Sequence, residues 1–342
     1  MRGKHIVFTA PNTAELQGFE FDESLAEDEV LVETIATLIS TGTELANFTG
    51  LSPNVWIKGA WGAYPHVPGY TAVGRVLAVG DGVGRYGRQG QRIVPGVRVF
   101  GFTPHASVAK ASVSRRLLFP LDDGDDVNRM LLARMGMVAS AGMRALHRPA
   151  YGRDVVVIGQ GLVGLFAAQL LDIAGAEVVA YDRAPRRVEL ARSLGVDARL
   201  GPAEGEELGE IADIVIEAIG NPRLVPAAVA MARNLGEVVL LGSPRGPGDD
   251  AGPVLSDIHH RGISLTGALE WLVPFHAASA GTGPSLEDAA HMVMRWIRSG
   301  RLRTEGMISD VRSPVDCQDA FARLSEDRNA YHGVVFDWRG IA

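Results

Sequence analysis

The stretch VVVIGQGLVG, residues 155–164, decides the fold. Its first four residues, Val155 to Ile158, are apolar without alternation, as a strand buried on both faces requires. The run ends on Gly159-Gln160-Gly161-Leu162-Val163-Gly164, which fits G-x-G-x-x-G. An apolar pattern at helical spacing follows, through Leu162, Leu165, Phe166, Gln169, Leu170 and Ile173. A second buried-type strand, EVVAYD, then closes on Asp182. Strand, turn, helix, strand and acid in this order separate a dinucleotide fingerprint from a chance glycine pattern. Gly159 makes the tight turn, Gly161 lets the backbone approach a pyrophosphate, and Gly164 lets helix and strand pack closely. The helix start offers free N–H groups to the phosphates, and Leu162 and Val163 lie there with them. A carboxylate at Asp182 accepts from both ribose hydroxyls and repels a 2′-phosphate, which favours NAD. Arg183, Arg186 and Arg187 leave NADP open, since arginine accommodates that phosphate. Ala218, Gly220 and Gly242, at the ends of the next two strands, complete the expected coenzyme set.

Working outward, ADIVIEAIG, GEVVLLGS and GISLTGALEW read as three more strands, with helical stretches before or between them. Alternating strand and helix over residues 146–270 argues for a doubly wound parallel sheet. The segment before it has another texture. HIVFTA, EVLVETIATLIS, TAVGRVLAVG and QRIVPGVRVF are rich in Val, Ile and Thr and are punctuated by Gly and Pro, so residues 1–145 read mainly as strands. After the parallel sheet come an amphipathic helix (SLEDAAHMVMRWIRSG), a short strand (MISDVRSP), a helix (VDCQDAFARLSED) and a last strand (HGVVFDW). This tail has no place in a parallel sheet. We expect residues 271–342 to rejoin the first segment as one discontinuous domain.

Composition sets outer limits. A chain of 342 residues is long for one core and predicts two domains. Net charge is −7 with both signs interspersed and no basic run, so no nucleic-acid partner is expected. Cys317 is the single cysteine, which excludes an internal disulfide framework and a cysteine-rich zinc cluster. No signal-peptide pattern opens the sequence. No run reaches the roughly 18 apolar residues of a membrane span. The expectation is a soluble cytoplasmic protein that acts on a small molecule, without a membrane partner.

Several stretches together carry a family resemblance: ISTGTE (39–44), VPGYTAVGRV (67–76), LFPLD (118–122), IGQGLVG (158–164), the Glu270-Trp271 pair, and Ala320-Phe321 with the closing Trp338. In order and spacing the chain resembles the medium-chain dehydrogenase/reductase superfamily. Within it, the chain is similar to the zinc-less clade of 3-hydroxyethyl bacteriochlorophyllide dehydrogenases. The resemblance implies an α/β protein with a discontinuous, β-rich, GroES-like catalytic domain and a Rossmann domain. It also implies a homodimer.

The resemblance also locates the reactive positions. Zinc members carry Cys-Gly-Thr-Asp where this chain has Thr41-Gly42-Thr43-Glu44, and Gly-His-Glu where it has Gly69-Tyr70-Thr71. The third ligand position falls near Met137. No zinc-binding set remains at these positions, so a zinc-free enzyme is expected. Thr43 matches the residue that begins the proton relay. Tyr70 is a candidate donor to the substrate oxygen, with packing in the vacated pocket as its alternative. Glu44 matches an acid with a structural or electrostatic role. Trp56 and Trp61, in the aromatic stretch from Asn47 to Tyr64, are candidate substrate contacts or else loop anchors. His66 and His105 are candidate acid–base groups, and Trp271 a further substrate contact. The expected activity is interconversion of a secondary alcohol and a ketone on a bulky metabolite: a tetrapyrrole, a sugar or cyclitol, or a natural-product intermediate. An NADPH-dependent enoyl or quinone reductase and a non-catalytic dinucleotide-binding protein are the alternatives.

Overall fold

The Val-, Ile- and Thr-rich N-terminal segment forms β1 (Arg2–Ala10), β2 (Thr13–Glu20), β3 (Glu29–Leu38), a short helix α1 (Thr43–Phe48), β4 (Ala72–Val79), β5 (Arg98–Gly101), β6 (Val108–Ser112) and β7 (Leu118–Pro120). The computed structural model describes residues 2–83, 92–115, 117–201, 208–248, 250–276, 284–327 and 329–341. The chain forms two units: Met1–Leu132 with Ile308–Ala342, and Ala133–Met307.

In the first unit β1 and β2 make an antiparallel hairpin. The larger sheet takes in two strands from the chain's end, β14 (Ile308–Arg312) and β15 (Gly333–Asp337), which flank helix α8 (Cys317–Glu326). Its order is β14-β15-β3-β4-β5-β7, with β6 also paired to β3. The tail returns because it supplies much of the core. Phe321, Phe336 and Trp338 are enclosed with Ile6, Phe8, Leu45 and Phe48, and the Phe8 and Phe321 rings meet edge-on at 4.8 Å. Each such side chain stabilises the unit by about 1.5–3 kcal/mol.

The second unit begins within helix α2 (Val127–Arg144) and holds β8 (Asp154–Ile158), α3 (Leu162–Ile173), β9 (Glu177–Asp182), α4 (Pro185–Ser193), β10 (Asp197–Leu200), β11 (Ala212–Glu217), α5 (Val225–Met231), β12 (Ala232–Leu240), α6 (Gly252–Arg261), β13 (Ser264–Gly267) and α7 (Leu286–Arg298). Its six strands are all parallel, in the order β10-β9-β8-β11-β12-β13. Strand order reverses between β8 and β11, so a ligand crevice is expected outside their carboxyl ends. These are a GroES-like and a Rossmann fold.

Three expectations about extent are adjusted. The units divide at 132/133 and 307/308 rather than at 145/146 and 270/271. The reason is packing within the second unit. Gly136 of α2 lies against Val293 of α7 and Phe166 of α3, and the Gln169 side chain both accepts from and donates to the Arg303 backbone, at 2.8 and 3.1 Å. Within QRIVPGVRVF only Arg98 onward is strand, and Gln91 lies outside the described residues. Within GISLTGALEW the strand stops at Gly267, and Glu270 and Trp271 stand in a 3-10 turn.

Candidate active site

The glycine turn of the second unit is built by local sterics. Gly159 has φ +96°, a conformation that favours glycine, and a Cβ there would press on Ile219. A Cβ on Gly164 would overlap the Gly159 carbonyl oxygen, so glycine alone lets α3 rise this close to the turn. Gly161 differs. Its backbone is extended, and a Cβ there would meet nothing within 4 Å. It is the N-cap of a 12-residue helix and makes no side-chain cap bond, which leaves the first N–H groups of α3 to bind an anion. The residues present therefore fit a dinucleotide: an open cradle over an uncapped helix start.

Asp182 does more than end β9. Its Oδ2 accepts from the Gln160 N–H at 2.7 Å and its Oδ1 from the Ala184 N–H at 2.8 Å, while Arg187 stands 3.7 Å from Oδ2. The acid thus ties the fingerprint turn to the next turn, and each oxygen keeps a second lone pair for a ribose hydroxyl. Arg183 and Arg186 are exposed. Ala218, Gly220 and Gly242 form two touching turns: Gly220 has φ +79°, and a Cβ on Gly242 would strike the backbone of Ile219 and Gly220.

Glu217, at the end of β11, escaped the sequence reading. Its buried carboxylate accepts from the Ile219 and Gly220 N–H groups at 2.8 and 3.0 Å. Burial pushes its carboxyl up to about 7, and those N–H bonds oppose the shift. The folded chain therefore holds this proton over a pH range in which the unfolded chain has released it. Stability contributed by the protonated group is complete below the unfolded value and is lost as pH rises through about 7. Between pH 5 and 7 this amounts to roughly 2 kcal/mol. Glu217→Gln should flatten that part of the profile, as read from urea midpoints at half-unit pH steps.

In the first unit, Gly69 (φ +97°) packs so tightly on the Pro104–His105 backbone that no side chain fits, and it presents Tyr70. The Tyr70 hydroxyl donates to Ser40 Oγ. Glu44 is buried: one oxygen accepts the Ser40 N–H at 2.9 Å, and the other meets His105 Nε2 at 2.7 Å. His105 Nδ1 meets Thr37 Oγ1 at 2.7 Å, and Thr37 accepts the Trp338 indole N–H at 2.9 Å. This corrects the reading of His105 as a free acid–base group, because the ring is wholly enclosed and both nitrogens are engaged. Thr41 and Thr43 are half-buried, and Thr43 begins α1. His66 Nε2 is buried without a hydrogen-bond partner, and burial pushes its imidazole below the usual histidine range, against the pull of the Glu44 charge.

In the aromatic loop Trp56 and Trp61 both face outward. Trp56 is 64% exposed and Trp61 59%. Each is steadied at one edge: the Trp56 N–H donates to the Gly50 carbonyl at 3.1 Å, and Trp61 meets His66 edge-on at 5.3 Å. Tyr64, by contrast, packs against the core and donates to the Asn47 carbonyl. In the second unit Trp271 is 49% exposed, with the Arg134 guanidinium 5.4 Å from its ring centre. Arg134 is fully buried and forms a two-pronged ion pair with Glu270. No pattern along α2 marks that arginine; only its distant partner explains it.

Among the described residues, no group of three or more His, Cys, Asp or Glu side chains is placed to hold a metal ion. No helix among them is long and apolar enough to cross a membrane.

Residues 163–272 match the family model described as zinc-binding dehydrogenase. The 2-desacetyl-2-hydroxyethyl bacteriochlorophyllide A dehydrogenase of Cereibacter sphaeroides is 27% identical over the whole of both chains. Galactitol-1-phosphate dehydrogenase from Escherichia coli superposes with a TM-score of 0.76 at 18% identity, over 98% of this chain and 99% of that one. A short chain alcohol dehydrogenase from Escherichia coli complexed with NADH superposes with a TM-score of 0.75, at the same identity and coverage.

Proposed function

The chain has the medium-chain dehydrogenase/reductase fold and carries a segment of the zinc-binding dehydrogenase family, and from this premise we propose that it is a zinc-independent, NAD(H)-dependent oxidoreductase that interconverts a secondary alcohol and a ketone. The observation that carries the reading is the Gly161 cradle: free space above an uncapped helix start, with a buried carboxylate at the end of the next strand.

Gly161, Leu162 and Val163 would hold the pyrophosphate, and Asp182 the adenosine ribose. The coenzyme, once bound, supplies the two-electron donor or acceptor. The first unit's hydroxyls would handle the substrate oxygen: Tyr70 would bond to it, and Thr43, at the start of α1, is the hydroxyl to which the resemblance assigns a part in the proton relay. Zinc does not fit the donor chemistry. The positions matching its ligands offer the Thr41 hydroxyl, the Tyr70 phenol and the Met137 thioether, whereas protein zinc is held by His, Cys, Asp or Glu. The Tyr70 hydroxyl is already committed to Ser40, and both Glu44 oxygens are occupied.

The substrate is bulky and at least partly flat and apolar. This rests on the outward indoles of Trp56 and Trp61, with His66, edge-on to Trp61, as a further contact. A tetrapyrrole or another ring-bearing intermediate suits these faces better than a small sugar. The exposed Leu265, Leu269 and Leu272, on and just after the edge strand β13, support a homodimer through that edge.

The test is turnover of aryl, cyclic and polyol secondary alcohols with NAD or NADP by protein stripped with a chelator. Turnover that survives chelation and prefers NAD supports the reading. One tightly bound zinc per chain, required for turnover, contradicts it. Asp182→Ser should weaken NAD binding about 10-fold and move preference towards NADP, because Arg183 and Arg187 remain while the repelling carboxylate is gone. Unchanged coenzyme choice in a fluorescence titration would remove Asp182 from that role.

A further inference from the structure

The polar chain buried in the first unit has a direction that its donors and acceptors fix. The Trp338 indole N–H can only donate, so Thr37 Oγ1 accepts from it. The Thr37 hydroxyl keeps one hydrogen, and His105 Nδ1 lies 2.7 Å away to take it. His105 then carries its own hydrogen on Nε2 and donates it to Glu44, 2.7 Å away. A hydrogen on Nδ1 would instead point at Thr37 and strand the hydroxyl hydrogen in an enclosed place. The other Glu44 oxygen accepts the Ser40 N–H, and Ser40 Oγ accepts from Tyr70. Thr37 and His105 are wholly enclosed, and Glu44 and Trp338 nearly so.

We propose that Ser40 is the group that takes the proton from Tyr70 during the reaction, and that His105, through Glu44, is the positioning residue that holds Ser40 in place. The proposal rests on the reading that Tyr70 serves the substrate oxygen. In alcohol oxidation the carbinol C–H electron pair leaves with the coenzyme and the carbon–oxygen double bond forms. The carbinol O–H proton passes to Tyr70 Oη as the Tyr70 proton passes to Ser40 Oγ, whose own hydrogen moves on to water. Reduction runs the same transfers backwards. Glu44 never meets the substrate; it clamps the Ser40 backbone, and a carboxylate buried this deeply keeps its place only while both oxygens are satisfied. Fixed geometry matters because proton transfer works over hydrogen-bond distances.

The test pairs a structural readout with a kinetic one. In protein labelled with 15N-histidine, long-range proton–nitrogen correlation at pH 7.5 should show His105 with hydrogen on Nε2 and a bare Nδ1. With NAD and 1-phenylethanol as probes, Ser40→Ala should lower kcat at least about 10-fold while NADH affinity and KM stay within about twofold. His105→Leu should lower kcat similarly. His105→Gln should restore most of it, since its amide offers an acceptor to Thr37 and a donor to Glu44. Hydrogen on Nδ1, equal kcat in the Gln and Leu variants, or wild-type kcat in Ser40→Ala would each overturn the proposal. If the wild-type protein oxidises neither this probe nor any other alcohol, the reading of Tyr70 fails and the kinetic role falls with it, while the histidine spectrum still decides the direction of the chain.

Discussion

Gly161→Val should lower NADH affinity at least about 100-fold and leave the melting temperature within about 2 °C of the parent. Both halves follow from one geometry. The Gly161 backbone is extended, so a branched side chain is tolerated, and its Cβ would enter open space. Nothing in the fold is disturbed, and substitutions of that kind usually stay within about 0.5 kcal/mol. The same open space is what a pyrophosphate would fill. Keeping it from the helix N–H groups removes two or more charge-assisted hydrogen bonds at about 1.5–3 kcal/mol each. Gly164→Val is the contrasting control. Its side chain would collide with the Gly159 carbonyl, so stability and binding should fall together. A Gly161→Val protein that binds NADH as tightly as the parent would place the coenzyme elsewhere.

The second large effect concerns Tyr70. Tyr70→Phe should reduce kcat by about 100- to 1,000-fold, because it removes the group that accepts the carbinol proton and passes its own to Ser40, and a positioned acid–base group contributes about 100- to 10,000-fold. NADH affinity should be unchanged, because the substitution leaves the second unit untouched. Stability should fall by only about 1 kcal/mol, since Ser40 loses one hydrogen bond and the ring remains. Stopped-flow measurement of coenzyme reduction separates the chemical step from product release. A variant with normal kcat would show that the tyrosine only fills space.

What the sequence revealed and what it hid differ by distance along the chain. The turn from Gly159 to Gly164 is readable because its causes are local: a positive φ, a helix start and a carbonyl, all within six residues. The valine run of β8 and the alternation around it likewise carry the parallel sheet. The buried pairs are another matter. Arg134 and Glu270 are 136 residues apart, His105 and Glu44 61 apart, and Trp338 and Thr37 301 apart. Arg134, one of three arginines in α2, looks like any solvated helix residue until its partner is known. Ser40 sits directly before Thr41-Gly42-Thr43-Glu44, yet its value comes from Tyr70, thirty residues on. The aromatic loop lies between these cases. Its composition marked a surface of interest, but only the fold shows that Trp56 and Trp61 turn outward while Tyr64 turns in.

The most direct test is a crystal structure of the protein grown with NADH, with diffraction also recorded at the zinc absorption edge. The expected result is a pyrophosphate on the N–H groups of Gly161, Leu162 and Val163, an adenosine ribose against Asp182, and no anomalous peak near Thr41, Thr43 and Tyr70. A pyrophosphate bound elsewhere, or a zinc ion beside those hydroxyls, would contradict a metal-free dinucleotide-dependent enzyme.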